Sequence, residues 1–148
     1  MVSPITIFTI GFAKKNAREF FTTLQEAGVK KVVDIRLNNT SQLAGFAKKD
    51  DLEFFLGAIG GISYKHVADL APSQELLDAY KKMEIDWAEY ERRFAAIMDE
   101  RRPEELLARD QTDGACLLCS EPEPAKCHRR LVAERLQKAW PDVEVRHL

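Results

Sequence analysis

Short apolar runs rich in β-branched residues recur along the chain, and between them apolar positions are spaced three and four residues apart. Residues 5–10 form one such run, which ends at Gly11, and residues 31–36, Lys-Val-Val-Asp-Ile-Arg, form the next. Both runs have the length and composition of buried strands. The same pattern predicts further strands at residues 62–67, 115–119 and 143–147.

The stretches between these strands carry helix signals. Asn16 stands where it can cap a helix, with Glu19 three residues later in capping-box register, and Gly28 supplies the stop. This helix and the strands on either side of it form a β-α-β unit. Further helices are predicted at residues 51–56, from Pro72 and Ser73, from Asp86, from Pro103, and at residues 124–140.

Strands that alternate with helices predict the fold class. We expect an α/β protein with a three-layer, mainly parallel β-sheet flanked by helices, Rossmann-like, in a single domain over residues 1–148. A chain of 148 residues suits one core, and 45% hydrophobic with 31% charged residues is an ordinary globular composition. In such sheets ligands bind at the carboxyl ends of the strands, so polar residues at those ends matter most.

Charge and leader signals narrow the class of protein. The formal net charge of −2 is too small to predict a nucleic-acid partner from overall electrostatics, so that prediction would need a local site. The sequence shows no leader of signal-peptide type and no apolar run of membrane-spanning length, so we expect a cytoplasmic protein without a membrane partner. All three cysteines lie within residues 116–127, which favours free thiols or metal ligands over structural disulfides.

The densest group of reactive side chains follows the fourth predicted strand. Cys-Ser-Glu at residues 119–121 ends that strand, and Cys-His-Arg-Arg at residues 127–130 lies near the start of the last predicted helix. A thiol in the first turn of a helix, beside guanidinium groups, is favoured as thiolate. The free backbone N–H groups of that turn, with Arg129 and Arg130, suit an anion such as phosphate, sulfate or carboxylate. Beside this anion pocket we predict four catalytic residues, which are Cys119, Glu121, Cys127 and His128.

Other strands bring polar residues to the same edge of the sheet. Gly11 ends the first strand, Asp34 and Arg36 end the second, and Tyr64 lies in the third. Because the carboxyl ends of parallel strands meet at one edge, we expect these four residues to contribute to binding the substrate or its anionic group. They would do so together with the two arginines of the last helix.

Each of these residues also has a purely structural explanation. Cys116, inside an apolar strand, is most simply a small buried hydrophobe. Glu121 could pair with Arg129 or Arg36 and fix the loop. His128 could be a core histidine whose hydrogen bonds are satisfied. The aspartate of the second strand could cap a turn or hold the neighbouring arginine.

A metal site is a further alternative. Cys116 and Cys119, followed by Cys127 and His128, are similar to a set of zinc ligands. The first two cysteines belong to a strand, however, where residues three apart face opposite sides of the sheet, so a zinc knuckle is not expected. No cofactor is predicted, and a metal ion would need Cys119, Cys127 or His128 with a carboxylate.

Four motifs together carry a family resemblance. They are Thr9-Ile10-Gly11, Asp34-Ile35-Arg36, residues 64–70, and Cys119-x-Glu121 with Cys127-His128-Arg129. With them the chain resembles the family catalogued as domain of unknown function 488, over nearly its whole length and with a highly specific last motif. Phe12 stands where many members carry His, and Ala71 where Gly is common. The resemblance implies a compact α/β domain and no particular reaction.

Three functions fit these residues. In the first, an enzyme with Cys-based transfer or hydrolytic chemistry, Cys119 is the nucleophile and Glu121 or His128 is its acid–base partner, while arginines hold an anionic small molecule. The second is a non-catalytic module that binds a phosphate of a nucleotide or of nucleic acid. The third is a metal-dependent hydrolase, for which Asp34 and Glu121 are the available carboxylates. We expect the first.

Overall fold

The structure, a computed structural model, describes residues 4–40, 45–121 and 123–148. Within these residues the fold is built on a five-stranded sheet. In chain order the strands are β1 Ile5–Gly11, β2 Lys31–Asp34, β3 Ser63–His66, β4 Ala115–Cys119 and β5 Val143–His147. The order across the sheet is β3-β2-β4-β1-β5, and every neighbouring pair is parallel.

Helices connect the strands and lie on both faces of the sheet. They are α1 Ala17–Ala27, α2 Lys49–Gly60, α3 Gln74–Lys81, α4 Trp87–Arg101, α5 Pro103–Leu106 and α6 His128–Ala139, with single turns of 3-10 helix at Gly45–Ala47 and Ala68–Leu70. Among the described residues, none of these helices combines the length and the apolar composition needed to cross a membrane. The predicted three-layer α/β class is confirmed.

Local capping signals set the helix ends where the sequence predicts them. The Asn16 side chain accepts a hydrogen bond from the Glu19 backbone N–H at 2.8 Å, and Gly28 ends α1 at a φ of 78°. The Ser73 hydroxyl caps α3 in the same way. The Asp86 carboxylate does so for α4. Each cap satisfies a backbone donor that would otherwise lack a partner at the first turn.

Two cores lie on opposite faces of the sheet. Apolar side chains of α1 and α2 form one core with Phe8 and Cys116. Those of α3, α4 and α6 form the other core with Ile7 and Leu117. Successive strand residues point to opposite faces, so each strand supplies both cores. Cys116 therefore packs as a small buried hydrophobe, as its position in an apolar strand predicts.

Two segments near the site differ from the predicted boundaries. The last helix begins at His128, four residues after the predicted start, because the chain first makes a turn in which the Cys127 N–H donates to the carbonyl of Pro124 at 3.2 Å. Cys127 is extended, with φ −137° and ψ 141°, and is the N-cap. Strand β2 ends at Asp34 because its carboxylate accepts the backbone N–H of Arg36 at 3.1 Å and turns the chain.

Candidate functional site

Strands β1, β4 and β2 are neighbours, and their carboxyl ends form one rim. Gly11 of β1 lies in register with Cys119 of β4, and Asp34 of β2 lies in register with Leu118. Beyond the strands, the Cys119 carbonyl accepts a hydrogen bond from the backbone N–H of Phe12 at 3.3 Å. The loop that follows Cys119 is therefore held close to the end of β1, as ligand sites in parallel sheets require.

Cys119 and Cys127 form a buried pair at this rim. Their side chains are 1% and 3% exposed, and the two sulfur atoms are joined as a disulfide across a sequence separation of eight. Their Cα atoms lie 7.5 Å apart. Disulfides usually span about 4.4–6.8 Å between Cα atoms, so this backbone spacing is wide for one. The cysteine spacing in the sequence favours free thiols or metal ligands over a disulfide, and for Cys119 and Cys127 that expectation is wrong in this structure. Cys116 is a free thiol, and burial raises its pKa.

Gly11 allows the loop after β4 to approach the end of β1. A Cβ atom at this position would overlap the backbone carbonyl of Glu121 and would lie 2.8 Å from Nη1 of Arg129. The overlap with the Glu121 backbone cannot be relieved by a side-chain rotation, so the backbone itself would have to move. The role of Gly11 visible in the structure is to leave room for these groups, and its predicted contact with an anion stays a prediction.

Arg129 points inward from the first turn of α6 and is fully buried, with 0% exposure. Its Nη1 donates to the Glu121 carbonyl at 2.5 Å and to Sγ of Cys119 at 3.2 Å, and its Nε donates to the Thr9 hydroxyl at 3.3 Å. Burial lowers the pKa of this guanidinium, which nonetheless stays charged at neutral pH. The arginine thus ties α6 to β1 and to the loop, and places a positive charge against Cys119.

His128, the first residue of α6, is held by the backbone of the loop that follows β2. Its Nε2 lies 2.7 Å from the carbonyl oxygen of Ile35. A carbonyl can only accept, so Nε2 carries the proton and Nδ1 keeps its lone pair when the ring is neutral. Burial lowers the pKa of His128 to about 4, and the charge of Arg129 acts in the same direction. At neutral pH the ring is therefore a neutral base or metal ligand.

Asp34 is the centre of a second buried group. Its carboxylate accepts two hydrogen bonds of 2.8 Å from Nε and Nη2 of Arg36, one of 2.5 Å from the Tyr64 hydroxyl and one of 3.3 Å from the Asn39 amide. Burial alone would raise the pKa of Asp34, but the bonds and charge of Arg36 outweigh it and hold the pKa below its usual value. Burial and Asp34 raise the pKa of Tyr64, so the phenol stays protonated and donates a hydrogen bond to the Asp34 carboxylate.

One nitrogen of the Arg36 guanidinium has no partner in this network. The side chain is 3% exposed, and its Nη1 is buried with no hydrogen-bond partner among the described residues. The guanidinium lies over the ring of Phe12, with its carbon 5.4 Å from the ring centroid. An unpaired buried donor costs about 1–3 kcal/mol, and the predicted contact of Arg36 with an anion stays a prediction.

A cavity of about 240 Å³ brings the two buried groups together. Arg36 lines it from one side, and Cys119, Glu121, Cys127 and His128 line it from another. Three larger cavities also lie among the described residues: one of about 500 Å³ between α4 and α6, one of about 640 Å³ between α1 and α2, and one of about 620 Å³ beside the rim cavity, with which it shares Tyr80, Trp87 and Lys126. None of these three is lined by cysteine or histidine among the described residues, whereas the rim cavity is lined by two cysteines and a histidine.

Cys119, Cys127 and His128 also form a set of potential metal ligands. Their ligand atoms all lie within 4.8 Å of one another. When the pair is reduced, two thiolates and one imidazole are ligands that suit zinc. The hydrogen bond from His128 to a backbone carbonyl is the second interaction that metal-bound histidines usually make. The donor set therefore fits a zinc ion.

The remaining predicted residues lie around the cavity or beside it. The Glu121 side chain is exposed and lines the cavity, while its carbonyl is held by Arg129. Arg130, 24% exposed, forms ion pairs with Glu134 at 2.9 Å and with Glu91 at 3.2 Å. The Tyr64 hydroxyl acts on the site indirectly, by donating a hydrogen bond to the Asp34 carboxylate that holds Arg36. The roles predicted for Arg129, Arg130 and Tyr64 in anion binding stay predictions.

Several residues of the site escape sequence reasoning. Thr9 bonds both Arg129 and Nδ1 of His147, at 3.3 and 2.6 Å, although its sequence context is that of any strand residue. Asn39 supports Asp34 from an irregular segment that has no pattern to identify it. Trp87 has the spacing of a core residue on the apolar face of α4, so the sequence does not mark it as a cavity residue. Its position at the first turn of that helix is the signal that could have indicated its place at the rim.

Comparison with known proteins gives one match. The model of a family described as Domain of unknown function DUF488 matches residues 16–136. No curated protein matches, and no solved structure matches. The matched range includes Asp34, Arg36, Cys119 and the whole segment from Cys127 to Arg130.

Proposed function

The chain belongs to the DUF488 family, and from that premise and the geometry of the rim we propose that it is an enzyme that uses Cys-based transfer or hydrolytic chemistry on a small anionic substrate. One observation carries the proposal. Arg36, a buried arginine whose Nη1 has no hydrogen-bond partner among the described residues, lines the same cavity as a cluster of two cysteines and a histidine. Perturbed titratable groups that converge on one pocket are typical of active sites.

The cavity has the electrostatics of an anion site. Besides Arg36, its lining includes Lys81 and Lys126, against a single carboxylate, Glu121. The Asp34 carboxylate accepts hydrogen bonds from Nε and Nη2 of Arg36, but Nη1 has no hydrogen-bond partner among the described residues. A carboxylate, sulfate or phosphate oxygen bound there would satisfy this donor through a charge-assisted hydrogen bond. The anion would then lie in the same cavity as the sulfur atoms.

Two features favour the thiolate form of the reduced pair. Cys127 is the N-cap of α6, where the helix dipole is positive. Sγ of Cys119 lies 3.2 Å from Nη1 of the Arg129 guanidinium. A nearby fixed positive charge lowers the pKa of a thiol and raises the fraction present as nucleophile at neutral pH. Cys119, at the strand end that faces the cavity, is the proposed nucleophile.

The proposed reaction needs the reduced pair and no change of oxidation state during turnover. A thiol reductant first converts the disulfide to two thiols and is itself oxidised to a disulfide. His128 accepts the proton of Cys119, and the thiolate attacks an electrophilic atom of the substrate. A sulfur–substrate bond forms while the bond to the leaving group breaks, and the leaving group departs with the electron pair and the proton from His128.

The second half of the reaction releases the enzyme. Water attacks the covalent intermediate, Glu121 accepts a proton from that water, and the sulfur–substrate bond breaks with its electron pair on Cys119. The proton then passes from Glu121 to the thiolate. The sum is hydrolysis of the substrate, or group transfer when another nucleophile replaces water.

Thiol alkylation across a range of pH tests this proposal. The reduced protein is treated with iodoacetamide between pH 5 and 9, and the modified peptides are quantified by mass spectrometry. We expect Cys119 or Cys127 to react with an apparent pKa at least one unit below the ordinary value of about 8.5. Cys116, which unlike the rim cysteines lines none of the cavities described above and whose pKa is raised by burial, is the internal control and should stay unmodified. Ordinary or absent reactivity at both rim cysteines would overturn the nucleophile assignment.

A second candidate function is a metal-dependent hydrolase, which the clustering of Cys119, Cys127 and His128 favours. A zinc ion held by these residues would supply a hydroxide at the fourth position, and Arg36 would bind the anionic group of the substrate. Zinc content of the reduced protein, measured by elemental analysis after reconstitution, tests it. One equivalent of zinc that is lost in Cys127→Ser but kept in the control Cys116→Ser would support this candidate. Absence of zinc from the reconstituted wild type would remove it.

The proposal includes a cytoplasmic location. Chemistry that starts from two thiols requires a reducing compartment, and the cytoplasm provides one. Trapping of thiols with a membrane-permeant alkylating agent in intact cells tests this location. Modified Cys119 and Cys127 are expected, and recovery of the intact disulfide from freshly quenched cells would contradict it.

A further inference from the structure

Three aromatic rings form one wall of the rim cavity. Tyr80 at the end of α3 and Trp87 and Tyr90 at the start of α4 all line it. The rings of Trp87 and Tyr90 are stacked, with centroids 4.8 Å apart and planes inclined by 15°, and Tyr80 lies 5.6 Å from Trp87. The three side chains hold one another in place, so the wall is a preformed surface.

The wall is not fully used by the protein core. Tyr90 is buried, but Tyr80 and Trp87 are only partly buried and pack against the edge of the core. Both are therefore able to offer ring surface to a molecule in the cavity. A planar ring bound against such side chains gains stacking or edge-to-face contact beyond the burial of area.

The aromatic wall and the cationic residues belong to the same small space. Arg36, with its unpartnered Nη1, lines the cavity together with Lys81 and Lys126. Typical pockets for drug-sized ligands hold about 300–1,000 Å³. The rim cavity holds about 240 Å³, which suits one ring with a short charged group, and Tyr80, Trp87 and Lys126 also line the adjoining cavity of about 620 Å³.

We propose that the substrate of the rim cavity is a small aryl anion, in which one aromatic ring packs against Trp87 and Tyr80 and a phosphate or carboxylate group binds Nη1 of Arg36. This inference rests on the proposed function, since it specifies the substrate of the same cavity. It applies equally to the thiol and the metal candidates, because it concerns how the ligand is held. The anionic group, rather than the ring, lies on the Arg36 side of the cavity.

Matched pairs of ligands test the inference on the reduced wild-type protein. Isothermal titration calorimetry is carried out with phenyl phosphate and cyclohexyl phosphate, with benzoate and cyclohexanecarboxylate, and with phenol and inorganic phosphate alone. Each pair has the same charge and nearly the same size but differs in aromaticity. We expect the aryl member of at least one pair to bind about ten-fold more tightly than its saturated partner. The phosphate and carboxylate pairs identify the anionic group.

The outcomes separate this inference from the proposed function. Equal affinity within both pairs would overturn the aryl assignment and leave the anion site standing. Phenol that binds as tightly as phenyl phosphate would overturn the role of Arg36. Failure of every anion to bind would remove the anion site on which both proposals depend.

Three variants localise the aromatic contact. Trp87→Leu should bring the affinity for the preferred aryl anion down to that of its saturated partner, while Phe54→Leu, at a 67% exposed phenylalanine on the other face, should leave it unchanged. In Trp140→Phe the remaining tryptophan is Trp87, so its fluorescence should change on binding. That measurement decides the question if Trp87→Leu does not fold. An unchanged spectrum at saturating ligand would overturn the proposed ring contact.

Discussion

Asp34 and Arg36 form a buried, two-pronged ion pair, although a single residue separates them in the chain. Nε and Nη2 of Arg36 each donate to the carboxylate at 2.8 Å, and the two side chains are 0% and 3% exposed. A buried pair of this kind adds little net stability, because desolvation offsets the attraction between the charges. Its effect is to fix the direction of the guanidinium, which leaves Nη1 without a hydrogen-bond partner among the described residues.

Removal of one partner from this pair should be more damaging than removal of both. Arg36→Met leaves the Asp34 carboxylate buried without its counter-charge, and we expect a loss of about 3–5 kcal/mol in the free energy of unfolding, measured by urea denaturation. The double variant Asp34→Asn with Arg36→Met should lose less than Arg36→Met alone. Losses that simply add in the double variant would show that the two side chains do not act as a pair.

Gly11 should not accept even a methyl group. Gly11→Ala places a Cβ against the Glu121 carbonyl and Arg129, so we expect a loss of about 1–3 kcal/mol in the free energy of unfolding and weaker anion binding at the rim. The matched control is Gly57→Ala in α2, where nothing lies within 4 Å of the added atom. That change should stabilise the protein by about 0.5–1 kcal/mol, because alanine favours the helix. Equal effects at the two positions would contradict the close approach.

The fold was predictable to the extent that it depends on local signals. The caps at Asn16, Ser73 and Asp86 and the apolar runs of the strands act through residues a few positions apart, so the pattern identifies them. The strand order was not predictable, because β1 and β2 flank β4, and that pairing depends on contacts between distant segments. The late start of α6 was missed because Pro124 is also compatible with the first turn of a helix.

The candidate site was predictable as a set of residues and not as an arrangement. Cys119, Cys127 and His128 lie close together in sequence, and the helical spacing indicates that His128 faces the sheet. The hydrogen bond between Arg129 and Thr9 joins residues 120 positions apart, and no local sequence pattern predicts such a contact. The aromatic wall depends on how α3 and α4 meet the rim, which is again a matter of tertiary packing.

Arg129 and Arg130 are adjacent in sequence but should differ strongly when they are replaced. Arg129→Met removes the buried donors that bond Thr9 and the loop carbonyl, and we expect a loss of about 2–4 kcal/mol in the free energy of unfolding. Arg130→Met removes partly exposed ion pairs, which contribute about 0–1 kcal/mol. Urea denaturation compares the two. In reduced protein, Arg129→Met should also raise the pKa of Cys119, and similar behaviour of both variants would contradict the inward position of Arg129.

His128 should make stability depend on pH between its unfolded and folded pKa values. Burial lowers the pKa of His128 from 6.5 to about 4 in the folded protein, so over this range the unfolded chain binds more protons. The free energy of unfolding should therefore fall as the pH is lowered from 6.5 to 4, by up to about 3 kcal/mol, and this residue should contribute no slope above pH 7. His128→Gln keeps an N–H donor for the Ile35 carbonyl but does not titrate. Urea denaturation of chelator-treated protein should show the slope in the wild type and a smaller slope in this variant. Identical slopes in both proteins would mean that His128 titrates normally in the folded state.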